Sequence, residues 1–275
     1  MTGIPSAIRA GPLNAPRIEI VARRSPRSWL PESPRNIFAL GKLNGRNPLI
    51  LEAYGSFGHN NLPSFSLDKF CMLDRGFIYA IAHVRGGSEM GEEWHVNGKL
   101  LRKENTFNDY ISCAKFLIKK HYTDSSLLFG LGGSAGGLVM GVAAERNPEL
   151  FKGIILEYPQ VCQLDALRDS STVNRLEFGN PDKKTDFEYI YSYSPYENIK
   201  KQKYPGMLLI TGLNDERVRY WQPTKMTARL QKMNSGTLPI LLKTYNSGHT
   251  GPSGRDAYYR SMAFEYSFFL SLLNY

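Results

Sequence analysis

The sequence predicts an α/β protein in which a mostly parallel sheet carries helices on both faces. Its strand-like runs, such as 153–157 and 207–211, are apolar at nearly every position, whereas a strand with one face in water would alternate apolar and polar residues. Segments with apolar residues at helical spacing lie between these runs. Strands that are apolar on both faces need cover on both sides, and helical crossovers supply it.

Six apolar runs predict strands, and four periodic segments predict helices. The strands are expected at 48–54, 77–84, 127–131, 153–157, 207–211 and 240–245. The helices are expected at 107–121, 135–146, 224–232 and 256–273. Because ligands of parallel sheets bind at the carboxyl ends of the strands, polar residues that directly follow these runs are the candidates for a functional site.

The N-terminal segment differs in composition from the rest of the chain. Residues 1 to about 35 are rich in Pro, Arg and Ser and contain only Glu19 and Glu32 as acids, a composition typical of loops and disordered segments. We therefore expect residues 1–43 to form a flexible segment and residues 44–275 to form one large domain.

The charge and hydropathy of the chain argue against two classes of partner. The formal charge is +9, but the lysines and arginines are dispersed and no known nucleic-acid-binding module is visible, so nucleic acid is not expected as a partner. No apolar run approaches the ~20 residues that a membrane-spanning helix requires, so no membrane association is expected.

The three cysteines, Cys71, Cys113 and Cys162, are scattered along the chain and form no close pair. A disulfide framework or a zinc site is therefore not expected, and a cytoplasmic location fits this pattern. An Arg-rich leader with few acids is also typical of mitochondrial transit peptides, but its early prolines would break the amphipathic helix that such peptides form.

One glycine-rich stretch allows three interpretations. Residues 132–136 fit the pattern G-x-S-x-G with Ser134 at its centre, which is typical of the sharp strand-to-helix turn called a nucleophile elbow. Gly130, Gly132 and Ala135 also match a dinucleotide-binding fingerprint, with Glu157 as the acid that would bind the ribose. A tight turn without chemistry is the third interpretation, and this stretch alone does not decide among them.

The residues after Ser134 favour the elbow. An activated serine needs a histidine to take its proton and a carboxylate to orient that histidine, and α/β-hydrolases place them in the order Ser, acid, His. Asp215 and His249 each follow one of the last two predicted strands, and His249 is the only histidine after Ser134. The dinucleotide interpretation gives Asp215 and His249 no role. Four other aspartates could replace Asp215, although none directly follows a predicted strand: Asp165, Asp169, Asp182 and Asp186.

Longer motifs extend from about Asn44 to the C-terminus. They are NPLILEAYGSFG, LDRGFIYAIAHVRGGSEMGEEWHVNGK, KENTFNDYISCAKFL, GGSAGGLVMGVAAERNPELF, EFGNP, YSPYEN, TGLNDERVRYWQPTKMTARL and GHTGPSGR. In this order they resemble the hydrolase domain of the prolyl oligopeptidase family of serine peptidases, and within it oligopeptidase B most closely. The resemblance implies an α/β-hydrolase fold and a peptidase that cleaves short peptides without a metal or other cofactor.

The resemblance also implies roles for single residues. Ser134 would be the nucleophile, His249 the base and Asp215 the acid that orients it. The oxyanion hole would consist of the backbone N–H of Ala135 and the hydroxyl of Tyr54, since a phenol can stabilise a tetrahedral oxyanion as a backbone donor does.

Substrate-binding roles follow from the same resemblance. Arg217 would bind a backbone carbonyl of the substrate, and Tyr189 and Tyr193 would line the pocket for the residue before the scissile bond. Oligopeptidase B receives basic side chains on acids, but residues 59–64 contain none and the residues just before Glu177 are not acidic. Glu177 is the nearest candidate acid, and no strong preference for Arg or Lys is expected.

Members of the family carry a β-propeller before the hydrolase domain, whereas only about 43 poorly matching residues precede the match here. We expect an open site, or one that a separate propeller subunit or a second copy in a homo-oligomer covers. Two alternatives to the peptidase remain: an esterase-like serine hydrolase, and an inactive fragment that needs a separate propeller chain.

Overall fold

A seven-stranded sheet organises the molecule. The structure is a computed structural model that describes residues 17–21, 44–63, 66–168 and 172–273. The strand order is β1-β3-β2-β4-β5-β6-β7. Strands β2 to β7 are parallel, and β1 pairs antiparallel with β3 at one edge. The strands are β1 (Arg17–Val21), β2 (Leu49–Glu52), β3 (Ile78–His83), β4 (Leu128–Gly133), β5 (Gly153–Glu157), β6 (Gly206–Gly212) and β7 (Ile240–Tyr245).

Helices cover both faces of this sheet. One apolar core joins it to α3, α4, α7 and α9, and a second core on the opposite face joins it to α1 and α10. Within the described ranges, no helix is long and apolar enough to cross a membrane. The helices are α1 (Leu67–Leu73), α2 (Glu92–Val96), α3 (Glu104–Lys119), α4 (Ala135–Arg146), α5 (Gln163–Arg168), α6 (Thr172–Phe178), α7 (Lys184–Tyr193), α8 (Pro195–Asn198), α9 (Trp221–Met233) and α10 (Arg255–Leu272).

The α/β prediction is confirmed, as are the six predicted strands and four predicted helices, apart from shifts of a few residues at their ends. The sequence did not reveal the short helices α1, α2 and α5 to α8. Helices shorter than about 12 residues are marginal in isolation and form through tertiary contacts, so their periodicity is a weak signal.

The expectation of a loop-like N-terminal segment is wrong at Arg17–Val21, which forms strand β1. The sequence RIEIV alternates apolar and charged residues, the pattern of a strand with unlike faces. The rest of the predicted flexible segment 1–43 lies outside the described residues.

Helix α4 is the buried centre of the fold. Its residues from Ala135 to Ala144 are all buried, which is the expected environment of a helix that is apolar around its whole circumference. The helix follows strand β4 after a single connecting residue, Ser134. The position of that serine is therefore fixed by a largely buried strand and a largely buried helix.

Candidate active site

Ser134 occupies a strained turn between β4 and α4. Its φ is +52° and its ψ is −117°, a conformation that L-residues rarely adopt outside functional turns. Its N–H donates to the carbonyl oxygen of Glu157 at 2.8 Å, and its own carbonyl oxygen accepts from the N–H groups of Gln160 and Gly137 at 3.0 Å each. These backbone bonds tie the turn to the neighbouring strand.

The glycines around Ser134 are required by close packing. A Cβ at Gly132 would lie 2.6 Å from the carbonyl oxygen of Gly136, and a Cβ at Gly136 would lie 2.4 Å from that of Ala53. Such distances are far below a van der Waals contact between unbonded atoms, so any side chain would push strand and helix apart. The single-residue connection is the geometry of a nucleophile elbow.

Ser134, His249 and Asp215 form a continuous line of hydrogen bonds. His249 follows β7, and its Nε2 lies 3.0 Å from Oγ of Ser134. Its Nδ1 lies 2.8 Å from Oδ2 of Asp215, which follows β6 and has a fully buried side chain. An ionised carboxylate only accepts, so Nδ1 carries the proton and Nε2 accepts from the Ser134 hydroxyl. This tautomer is the one that can take the serine proton.

Tyr54 and Ala135, the two predicted oxyanion donors, both lie near Ser134. Tyr54 follows β2 and lines both of the cavities that Ser134 lines. Burial raises the pKa of Tyr54 above its ordinary value, so the phenol keeps its proton and can donate it. Ala135 is the first residue of α4, and the first amides of a helix have no acceptor within the helix. The two groups can together donate to a negatively charged oxygen.

Two cavities meet at the nucleophile. Ser134, His249, Tyr54 and His59 line both of them. The larger has a volume of about 1060 Å³, and the smaller about 390 Å³. The larger cavity has an apolar wall formed by Phe57, Val173, Val218 and Trp221. The smaller cavity is bordered by Glu52, Glu157 and Glu265 together with Tyr79, Tyr158, Tyr258 and Tyr266.

Arg217, the predicted ligand of a substrate carbonyl, lines the larger cavity together with Ser134. Its side chain is exposed, and its positive charge is close enough to Tyr54 to lower the pKa of that phenol slightly against the larger effect of burial. An exposed guanidinium at this position can donate to a carbonyl group of a bound chain.

Tyr189 and Tyr193 do not lie in either cavity, and the structure does not support their predicted pocket role. Helix α7 packs both residues toward α3. The ring of Tyr193 is buried 5.3 Å from that of Phe107, and the hydroxyl of Tyr189 accepts from the N–H of Glu104 at 2.9 Å.

Glu177 is also placed differently from its predicted role. It is 3% exposed and lines neither cavity. Its Oε2 lies 2.9 Å from Nε2 of His95, and its Oε1 lies 3.6 Å from Nζ of Lys103. Its charge is therefore matched inside the protein and is not presented to a substrate.

Sequence reasoning missed two residues that line the cavities and one buried lysine outside them. His59 lines both cavities and its ring lies edge-on to Tyr54 at 4.9 Å, while Trp221 forms part of the apolar wall. Lys103 is fully buried at the N-cap of α3, where Ser, Thr, Asp or Asn is usual. A lysine at the N-terminus of a helix with a buried face is unusual, and this feature of the sequence could have pointed to Lys103. In the described ranges, no three His, Cys, Asp or Glu side chains group as a metal site requires.

Comparison with known proteins places this site in a family context. The model of the "Prolyl oligopeptidase family" matches residues 63–275. Dipeptidyl aminopeptidase BI of Pseudoxanthomonas mexicana is 42% identical over 235 residues, which are 84% of this chain and 32% of that protein. Protease 2 of Moraxella lacunata is also 42% identical over 235 residues, which are 84% of this chain and 34% of that protein.

Among solved structures, oligopeptidase B from Leishmania major matches with a TM-score of 0.84 and 33% identity. The match covers 94% of this chain and 37% of that one. The chain thus spans about a third of the length of the relatives that it matches.

Proposed function

The chain belongs to the prolyl oligopeptidase family, and we propose that it is a serine peptidase that cleaves peptide bonds of short peptides through an acyl-enzyme. The observation that carries the proposal is the hydrogen-bonded line from Asp215 through His249 to Ser134 at the nucleophile elbow. Two donors beside Ser134 and a large cavity that opens onto it supply the other requirements of acyl transfer.

The proposed reaction has two halves. Oγ of Ser134 bonds to the substrate carbonyl carbon while its proton moves to Nε2 of His249, and the resulting oxyanion accepts from Tyr54 and the Ala135 N–H. The C–N bond then breaks as His249 returns the proton to the leaving amine. A water molecule attacks the acyl ester in the same way, which frees Ser134 and releases the acid product. Asp215 keeps the histidine in the tautomer that both halves need.

The larger cavity favours apolar over basic side chains before the scissile bond. Its acids are Asp165 and Glu216, and its arginines are Arg217 and Arg219, so its lining has no excess of negative charge. The carboxylate of Asp165 is paired with Nζ of Lys225 at 2.9 Å. A substrate Arg or Lys would therefore find Asp165 already paired and no excess of negative charge in the lining, whereas an apolar side chain can pack on the wall around Trp221.

A separate propeller subunit that covers the mouth of this cavity is part of the proposal. Val173 lines the cavity with 61% of its surface exposed, and Leu176 in the same helix is 66% exposed. Neighbouring apolar side chains at such exposure favour burial by a second surface. The proposed location is the cytoplasm, and in support Cys71, Cys113 and Cys162 are thiols and not disulfides.

The test is reaction of the purified chain with a fluorophosphonate probe, with Ser134→Ala beside it. Ser112→Ala, on the exposed side of α3, is the matched control and should label like the wild type. Turnover is then measured with peptidyl amides and esters that carry apolar, Pro, Arg or Lys residues before the scissile bond. Labelling that does not depend on Ser134 would refute the proposal that the chain is a serine hydrolase with Ser134 as its nucleophile.

Other outcomes distinguish the alternatives. Labelling with turnover of esters but not amides would replace the peptidase by an esterase. Labelling that appears only after a propeller subunit is added would show that the chain is inactive alone. Light scattering measured beside the assay gives the oligomeric state of the active form. Activity of a self-associated form would indicate that a second copy of this chain, and not a propeller subunit, covers the site.

A further inference from the structure

The segment 54–58 carries the hydroxyl that stabilises the proposed oxyanion. Tyr54 is half-buried, so the position of its phenol depends on how firmly this segment is held. Gly55 has a φ of +69°, and a Cβ there would lie 2.6 Å from both Thr106 Cγ2 and Val84 Cγ2. The backbone directly after Tyr54 is therefore pressed against the start of α3 and the end of β3.

A buried ammonium group holds this segment from below. Lys103 is 0% exposed, and its Nζ donates to the carbonyl oxygen of Gly55 and to Oγ of Ser56, both at 2.6 Å. Ser56 is also fully buried. A charged group without solvent is costly, and an aliphatic side chain could fill the same space. Only the ammonium can donate the two hydrogen bonds to Gly55 and Ser56, because an aliphatic side chain has no donor.

The charge of Lys103 is balanced by Glu177 from another helix. Glu177 Oε1 lies 3.6 Å from Nζ, and the ring of Phe178 lies 5.2 Å from it. The other oxygen of Glu177 lies 2.9 Å from Nε2 of His95. These contacts join α2, α3 and α6 beneath the segment that carries Tyr54.

His95 extends this support to the far end of the segment. A Cβ at Gly58 would lie 3.4 Å from the His95 ring, an ordinary van der Waals distance, so the ring lies beside that glycine. The N–H of Gly58 also donates to the carbonyl oxygen of Gly86 at 2.9 Å. The segment is thus held near both ends by groups that lie outside both cavities.

On the basis of the proposed function, we propose that Lys103 is a positioning residue for the oxyanion hole, which fixes the Tyr54 hydroxyl through its bonds to Gly55 and Ser56. Lys103 touches neither Ser134 nor a cavity where substrate would bind. Its effect therefore falls on the stabilisation of the transition state and not on substrate binding. Loss of the ammonium should lower kcat and leave KM nearly unchanged.

The test is a double-mutant cycle between Lys103→Met and Tyr54→Phe, assayed with an activated ester or amide that the wild type turns over. Tyr54→Phe alone should lower kcat by about 10²-fold, as expected for loss of one oxyanion donor. Lys103→Met alone should lower kcat by roughly tenfold or more, but in the Tyr54→Phe background by less than about threefold, because its effect passes through Tyr54. Lys115→Met, the same change on the exposed side of α3, should have no effect.

Equal losses from Lys103→Met in both backgrounds would overturn the inference, as would a raised KM with unchanged kcat. If Lys103→Met does not fold, Ser56→Ala removes one of the two acceptors and should give a smaller loss with the same dependence on Tyr54. An absence of any Ser134-dependent turnover in the wild type would instead refute the proposed function. The two failures are therefore distinguishable.

Discussion

Asp215 divides its two carboxylate oxygens between His249 and the protein backbone. Oδ2 lies 2.8 Å from Nδ1 of His249, and Oδ1 accepts from the N–H groups of Arg217 and Val218 at 2.9 Å each. The two backbone donors fix the rotation of the carboxylate, so the histidine meets a rigid acceptor. The loop that presents Arg217 to the larger cavity is thereby the same loop that orients the proposed base.

Asp215→Asn should abolish most activity without unfolding the protein. The amide can keep the bonds to the backbone, but its NH2 group would donate to Nδ1 and force the proton of His249 onto Nε2. We expect kcat to fall by about 10⁴-fold, as for a triad left with the wrong tautomer. Turnover measures the loss, and the thermal unfolding midpoint should stay close to that of the wild type. A loss of less than tenfold would contradict the role of Asp215.

Gly136→Ala should destabilise the protein and impair the site. Its new Cβ would lie 2.4 Å from the carbonyl oxygen of Ala53 and 3.3 Å from the Cα of Tyr54. Since β2 is paired on both sides, the strain cannot relax locally, and we expect a loss of about 1–3 kcal/mol in the free energy of unfolding. Chemical denaturation checks the first effect, and kcat should fall because Tyr54 is displaced.

Gly248→Ala is the control for this change. It lies beside His249 at the same edge of the sheet, but its nearest neighbour in space would be the carbonyl oxygen of Asn214 at 3.9 Å. We expect its stability to match that of the wild type within about 0.5 kcal/mol. Equal stability of both variants would show that the elbow tolerates a side chain.

Lys103 should make stability rise with pH above about 8. Burial lowers its pKa from 10.5 to about 8, and the Glu177 carboxylate opposes that shift. Between about pH 8 and pH 10.5, Lys103 of the unfolded chain still binds a proton that Lys103 of the folded protein has lost, so the free energy of unfolding increases with pH. The full window corresponds to about 3 kcal/mol. Below pH 8 both states are protonated and this contribution does not change.

Denaturation curves from pH 7 to 10.5 check this prediction by comparing the wild type with Lys103→Met. The difference in the free energy of unfolding should grow across the window, and parallel curves would contradict the prediction. Glu177→Gln provides a second measurement. It removes the charge that raises the Lys103 pKa, so its stability should begin to rise at a lower pH.

The sequence predicted the parts of this molecule that depend on local pattern and chain order. The six parallel strands are continuous apolar runs, and Asp215 and His249 were found because each directly follows a strand after Ser134. Tyr54 was identified by resemblance alone, since nothing in its local pattern distinguishes a donor from a packed ring.

What the sequence could not show depends on contacts between distant elements. The resemblance suggests Glu177 as a substrate-binding acid, but its carboxylate oxygens lie 3.6 Å from Nζ of Lys103 and 2.9 Å from Nε2 of His95, which are 74 and 82 residues away in the chain. Tyr189 and Tyr193 lie on α7, whose short apolar pattern does not tell which of its sides faces α3 and which faces a cavity. Side-chain pairing of this kind is decided by tertiary packing and leaves no periodic signal in the chain.

Lys225→Met should increase the preference for substrates with Arg or Lys before the scissile bond. Nζ of Lys225 lies 2.9 Å from Oδ2 of Asp165, which lines the larger cavity. Without the ammonium, the carboxylate faces the cavity with its charge uncompensated and can pair with a basic side chain of the substrate. Both side chains are partly exposed, with 40% and 35% of their surfaces accessible, so we expect a modest gain of about 1 kcal/mol. The ratio of kcat/KM for Arg over apolar substrates should therefore rise about fivefold.

Two further variants show whether Asp165 causes that gain. Lys184→Met removes the same charge from an exposed pair with Glu188 that lies outside both cavities, and it should leave the ratio unchanged. Asp165→Asn combined with Lys225→Met should return the ratio to the wild-type value, because the acceptor for the basic group is gone. An equal rise in both lysine variants would mean that net charge, and not the carboxylate in the cavity, governs the selectivity.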